Sequence, residues 1–218
     1  MKTHILLLTL AAALAAPCRA EFKDAGEAAD ALKRADAKSR LEAINYLGAK
    51  GGDQAYETLA GHFQAEKDAY LRAQIVEALD VSGSTWAYAC AVQAAADKNQ
   101  AVRRGAAAAL APRAGEGETD ALLKKLAADP AEEVRLELVH SLSMKPGKAS
   151  AAMVGGILAD RKGTLKARRA AAEALANMKT PESDAELLKH LSDADPKIKA
   201  AAQSRRPSKV KPPAKKKK

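Results

Sequence analysis

DKNQAVRRGAAAAL, residues 97–110, and DPAEEVRLELVHSL, residues 129–142, decide how this chain folds. In each, an aspartate is followed six residues later by an arginine, Arg103 and Arg135, and apolar residues then fall at helical spacing. Related stretches run DAKSRLEAINYL from Asp36, DAYLRAQIVEAL from Asp68, DRKGTLKARRAAAEAL from Asp160 and DADPKIKAAAQ from Asp193. Their basic residues, Arg40, Arg72, Arg103, Arg135, Arg168 and Lys199, are 32, 31, 32, 33 and 31 residues apart. A period of that length marks stacked supersecondary units rather than one folded core.

Composition says what the units are made of. The 218 residues are 47% hydrophobic but only 3% aromatic. Alanine and leucine, both strong helix formers, supply most of the apolar content, and strand-favouring residues are sparse. The expectation is an all-α chain: a solenoid of about five to six helical hairpins. The repeated basic residue sits on the first helix of each unit. Second helices are predicted at about 53–65, 84–96, 118–128, 148–159 and 181–191, and a lone helix at about 24–34 caps the start. Gly51-Gly52, Ser82-Gly83, Gly115 with Gly117, and Pro146-Gly147 punctuate the turns. Asp97, Asp129 and Asp193 are expected to cap the first helices, and Thr180-Pro181-Glu182 is a further helix start.

The D-x5-R/K spacing, with V-R-x-x-A-x-x-A-L from Val102 and V-R-x-x-L-x-x-S-L from Val134, resembles the HEAT repeat family. The resemblance is especially to the short HEAT-like type also found in bilin lyases. The resemblance covers about residues 36–206. It implies hairpins stacked into a curved superhelix that binds on one face, with second helices on the concave side. Two copies depart from the pattern: Asp68 lies four residues before Arg72, and Asp160 lies eight before Arg168. Repeated acid and arginine at matched positions are expected to pair as a ladder along the turns.

Both ends read differently from the body. Lys2, the apolar run Ile5–Ala16 and the small residues of Cys18-Arg19-Ala20 have the order of a secretory signal peptide, residues 1–20. The run would span roughly 18 Å as a helix, too short for a roughly 30 Å bilayer core. Pro17, where lipidation needs a small residue, speaks against an acylated Cys18. A periplasmic or secreted location follows, with Cys90 then the one cysteine left and no internal disulfide available.

The net charge of +9 belongs to the other end. Residues 21–204, the solenoid, hold all 27 acidic residues against 26 of the 36 basic ones. Residues 205–218 hold Arg205, Arg206, Lys209, Lys211, Lys215, Lys216, Lys217 and Lys218, with no acid. This Pro-broken tail is expected to be disordered and to attract anionic surfaces: envelope polymers, lipid head groups, or nucleic acid if the chain is not exported.

Chemistry is sparse by contrast. His62, His140 and His190 fall in three different units without a His or Cys partner at metal-ligand spacing. H-E-x-x-H, G-x-S-x-G and phosphate-cradling glycine loops are missing from the sequence, so no cofactor, metal or catalytic residue is expected. The aromatics are more telling, because Phe22, Tyr46, Tyr56, Phe63, Tyr70, Trp86 and Tyr88 all precede residue 89. Tyr56, Phe63, Trp86 and Tyr88 lie on second helices and are candidates for a protein-partner patch; the alternative is that they fill a wider core near the cap. The functional expectation is a non-catalytic scaffold that binds a protein partner. A tail-driven polyanion binder and a lyase-like enzyme subunit are the alternatives.

Overall fold

The computed structural model describes residues 22–206, so the signal-peptide reading and the tail lysines lie outside the described residues. Among the described residues there are twelve α-helices and no strand. They are α1 (Ala25–Ala31), α2 (Ala37–Lys50), α3 (Asp53–Ala65), α4 (Ala69–Asp80), α5 (Thr85–Ala94) and α6 (Gln100–Leu110). A short 3-10 turn, Ala111–Arg113, then leads to α7 (Gly117–Ala127), α8 (Glu132–Met144), α9 (Lys148–Ala159), α10 (Leu165–Met178), α11 (Pro181–Leu188) and α12 (Pro196–Gln203).

Helices α2 to α11 form five hairpins, with α1 packed against the first and α12 closing the last. The even-numbered helices stack on one another as one layer and the odd-numbered helices form the second. Neither layer can bury its apolar face alone, so each hairpin depends on its neighbours. The buried interior accordingly continues along the stack in two adjoining clusters. One runs from Phe22 to Ala106 and the other from Ala91 to Ile198. Leu138 and Leu142 of α8, the residues that gave the pattern its helical period, are fully buried in the second.

Helix ends follow local chemistry, though not always at the expected residue. Thr180 and Ser183 form a reciprocal capping box at α11, with Pro181 in its first turn. The first helices, however, are capped two residues later than the sequence suggested. Asn99 accepts from Ala101 N–H at α6 and Asp195 accepts from Lys197 and Ile198 N–H at α12, while Ala131 gives α8 no side-chain cap. Asp97, Asp129 and Asp193 are released for a different task. Asp68, one of the two apparent departures, turns out to be the cap of α4.

The even-numbered layer is the more closely spaced, and small residues are the reason. A Cβ on Gly48 of α2 would stand 2.9 Å from Ala78 Cβ of α4, and one on Gly105 of α6 would stand 3.1 Å from Val76. In a curved stack the tighter layer takes the inner side. On that spacing α4, α6 and α8 belong to the tighter layer, whereas the resemblance implied a concave side lined by the second helices. Gly155 also earns its place by close approach, since a Cβ there would meet Glu186.

Candidate functional site

The repeated arginines build a ladder across the unit junctions. Each lies one turn into its first helix and reaches toward the loop that opens the next unit. Arg40 Nε donates to Glu66 Oε2 at 2.8 Å, Arg72 Nε to Asp97 Oδ2 at 2.7 Å and Arg103 Nε to Asp129 Oδ2 at 2.6 Å. Nη2 completes a two-pronged contact at each, 3.3, 3.0 and 2.9 Å from the other carboxylate oxygen. The third nitrogen turns back: Arg72 Nη1 donates to Glu66 O and Arg103 Nη1 to Asp97 O. Glu66, Asp97 and Asp129 thus each accept one arginine on the carboxylate and the next on the carbonyl, which couples consecutive units.

The acids do a third job. Their carboxylates accept the backbone N–H two residues on, from Asp68, Asn99, Ala131 and Asp195. Burial alone would raise the carboxyls of Glu66, Asp97, Asp129 and Asp193. The guanidinium contacts and these backbone donors outweigh it and hold all four below the usual carboxylate range. His62 and His190 join the same system, Nε2 standing 3.1 Å from Glu66 Oε2 and Nδ1 standing 3.4 Å from Asp193 Oδ2.

The pairing departs from expectation in three places. Glu66, six residues before Arg72, is the ladder acid that Asp68 had obscured. Arg168 uses Nη2 for Asp193 at 2.5 Å and spends Nε on Leu158 O, while Arg169 adds a second pair to Asp195 at 2.6 Å. The Arg169 contact pulls the Asp195 carboxyl down to about 2. Arg135 has no acid: among the described residues it forms no salt bridge, and its Nε is buried without a partner.

The aromatic candidates do not form one exposed patch. Phe63 is only 5% exposed and belongs to the amino-terminal core. Tyr56 and Trp86 are half-buried and pack against that same core. Tyr88 packs against the other cluster, its hydroxyl 3.0 Å from Thr119 Oγ1 and its ring 4.5 Å beneath the Arg113 guanidinium. These rings fill space near the start of the stack, where Phe22 and Tyr46 also meet edge to face at 5.3 Å. Cys90 is equally a packing residue, and burial pushes its thiol up to about 12.

Of the tail cations, Arg205 is drawn onto the body, where it donates to Ala176 O and faces Asp184 at 3.4 Å; Arg206 is exposed. Lys209, Lys211 and Lys215 to Lys218 lie outside the described residues.

The exposed chemistry gathers on the layer of even-numbered helices. A groove of about 400 Å³ between α4, α6 and α8 is lined by Tyr70, Gln74, Glu77, Asp80, Arg104 and Glu137. Tyr70 is 59% exposed, and Val81 at the end of α4 is 82% exposed. Burial, then the charges of Glu137 and Glu77, pushes the Asp80 carboxyl above its usual range. Sequence reasoning missed this groove, because Glu77 and Glu137 are far apart in the chain and Tyr70 lies on a first helix. An apolar groove of about 510 Å³ also separates α7 from α9, floored by Ala128, Ala152, Met153, Gly156 and Ile157. Among the described residues, no group of three His, Cys, Asp or Glu is placed to hold a metal ion, and no helix is long and apolar enough to cross a membrane.

Comparison with solved structures gives the same architecture. The CpcE–CpcF complex of phycocyanin lyase from Nostoc sp. PCC7120 is similar at 18% identity and a TM-score of 0.56, over 84% of this chain and 75% of that one. A designed armadillo repeat protein in complex with the peptide (KR)4 is similar at 18% identity and a TM-score of 0.53, over 84% and 98%. An engineered protein follows at 19% identity and 0.52, over 84% and 94%. At these identities the likeness is one of fold. No curated protein matches at the same level. The family model for HEAT repeats matches residues 67–143 and 119–204, well over half of the sequence, and this chain belongs to the HEAT repeat family.

Proposed function

We propose that this chain is an exported, non-catalytic HEAT-repeat scaffold whose inner face holds a protein segment carrying basic side chains. The observation that carries the reading is the groove between α4, α6 and α8, where Glu77, Asp80 and Glu137 crowd together beside an exposed Tyr70. Like charges that raise the Asp80 carboxyl are relieved by a cation placed among them, so a lysine or arginine gains from the site what solvent does not supply. Arg104 on the same wall rejects a uniformly basic ligand at that point and favours one whose charges are spaced. Tyr70 and Val81 add apolar contact of the kind that anchors an interface. A similar fold solved with the peptide (KR)4 is a precedent for a helical stack holding basic side chains, although that peptide lacks the spacing favoured here.

The basic tail acts separately in this proposal, by drawing the chain to anionic envelope surfaces through screened, salt-sensitive attraction. The observation behind it is a run from 205 to 218 with eight basic residues and no acid.

Fluorescence anisotropy with a labelled peptide of alternating lysine and serine tests the scaffold reading, using the chain ended at Arg206 so that its own lysines do not compete. Each exposed ion pair contributes about 0.5 kcal/mol, so the double variant Glu77→Gln/Glu137→Gln is expected to weaken binding roughly fivefold. Equal affinity for the two proteins, or equal binding of an aspartate-serine peptide, rejects the groove as the site.

A further inference from the structure

Arg135 occupies the ladder position on α8 and is held as its counterparts are. Its Nη1 donates to Asp129 O, as Arg103 Nη1 does to Asp97 O and Arg72 Nη1 does to Glu66 O. The opposite edge, Nε with Nη2, meets the next unit's acid at Arg40, Arg72 and Arg103. At Arg135 that edge meets none. The side chain is 7% exposed, yet Nε is buried without an acceptor. Nε of Arg205, the other buried arginine nitrogen without a hydrogen bond among the described residues, at least faces Asp184 at 3.4 Å.

The missing acid has an identifiable cause. Asp160 stands 25 residues after Arg135, the same interval as Asp97 after Arg72 and Asp193 after Arg168. Its Oδ1 accepts the Lys162 N–H at 3.0 Å, the same turn that the ladder acids make. The loop then runs two residues longer than elsewhere before the next arginine, and Asp160 is left exposed at the rim of the α7–α9 groove. Around this junction the loop carries Arg161 and Lys162, and Lys166 in the first turn of α10 is 3.2 Å from Glu132 of α8. Asp129 already serves Arg103. The junction therefore holds a buried cation, three further basic residues on the loop and the first turn of α10 and, among the described residues, no carboxylate bonded to the guanidinium.

We infer that the Nε–Nη2 edge of Arg135 binds an oxyanion, a carboxylate or phosphate group, in the place that the next unit's acid fills at the other rungs. A guanidinium edge presents two parallel N–H donors that match two oxygens of either group. At three rungs of this protein that edge already takes two carboxylate oxygens, so the geometry is one the fold supports. The bound group joins the fourth unit to the fifth, and its source is either a small anion or an acidic side chain of a partner.

The test is NMR of the full chain labelled with ¹⁵N, following the arginine Nε–Hε resonances. Sodium phosphate and sodium acetate are titrated separately, with sodium chloride holding ionic strength constant. The Arg135 resonance is identified by its loss in Arg135→Lys, or in Arg135→Met if the first variant does not fold. A saturable shift of that resonance is expected while those of Arg72 and Arg103 stay in place. Saturation is also expected to raise the melting temperature by about 2–4 °C, the effect of a modest ligand on a domain of this size. A response to phosphate alone or to acetate alone supports the site and assigns its preferred chemistry. No shift with either anion overturns the inference, as does an equal shift of all three arginines, which is screening. If Asp160→Asn moves the Arg135 resonance before any anion is added, the chain's own Asp160 closes the rung and the inference fails.

Discussion

Replacing Arg103 with methionine is expected to cost far more than the same change at Arg135, although the two stand at equivalent repeat positions. Arg103 contributes two charge-assisted contacts, at 2.6 and 2.9 Å, to a carboxylate that is only 6% exposed. Exposed ion pairs contribute about 0–1 kcal/mol, whereas removing one partner of a buried pair costs about 3–5 kcal/mol. The arginine side chain keeps some solvent contact, and Asp129 retains the Ala131 N–H, so a loss of about 3 kcal/mol is the working value. Asp97 O and Lys98 O also lose their donor. Arg135→Met removes one bond to Asp129 O but also relieves a buried nitrogen of its missing partner, and is expected to cost less than about 1 kcal/mol. Urea unfolding followed by circular dichroism separates the two. With a slope of about 2 kcal/mol per molar, Arg103→Met lowers the midpoint by about 1.5 M and Arg135→Met by less than about 0.5 M. Both measurements are made in chloride buffer, without phosphate or carboxylate. Equal shifts for the two variants would refute the claim that the inter-unit acid is what gives the arginine its value.

Asp80→Asn is expected to stabilise the chain slightly at neutral pH, because burial penalises the ionised carboxyl and Glu137 and Glu77 then repel it. The raised folded value means that protonated Asp80 favours the folded state, a benefit present below its ordinary value of 3.8 and lost as pH rises through the higher folded value. The gain of the asparagine variant should therefore vanish in acid, and a pH-independent gain in melting temperature would contradict this. The ladder acids have the opposite sign. Their stabilisation is present above the ordinary carboxylate values of 3.8 for aspartate and 4.5 for glutamate and is lost as pH falls through the lower folded ones, so wild-type chain should lose inter-unit stability below about pH 4 in a pH-melting series. Removing residues 207–218 is expected to abolish binding to anionic vesicles in a sedimentation assay without moving the melting temperature; retained salt-sensitive binding would place a basic surface on the solenoid. Export predicts a mature chain beginning near Glu21, which intact mass of protein from its native cell reads directly, and a soluble cytoplasmic species retaining Met1 would reject it.

Much of the architecture is legible in the sequence because helical hairpins announce themselves locally. The second helices predicted at 53–65 and 148–159 coincide with α3 and α9, since Gly51-Gly52 and Pro146-Gly147 mark where each begins. The ladder is legible where the acid is aspartate and hidden where it is not. Glu66 reaches Arg40 with one more methylene, and the neighbouring Asp68, a helix cap, imitates the motif. The interruption at Arg135 does leave a trace. The interval from Arg135 to Arg168 is 33 residues, longer than any other, and Asp160 lies eight before Arg168 rather than six. Spacing alone cannot say which layer packs more tightly, because that depends on how closely Gly48 approaches Ala78 and Gly105 approaches Val76 across different helices. Hence the groove around Glu77 and Glu137, assembled from three first helices, is not legible in the sequence. The aromatics cluster early in the chain because the first units pack larger residues, and burial was the better explanation for Phe63.

Amide chemical-shift mapping with a lysine-serine peptide tests most directly whether a partner meets the layer of first helices, as proposed. On the ¹⁵N-labelled chain ended at Arg206, perturbations are expected at residues 70–81 of α4, along 101–108 of α6 and around Glu137 of α8. Perturbations confined to α3 and α5 around Tyr56 and Trp86, or to the groove between α7 and α9, would contradict it.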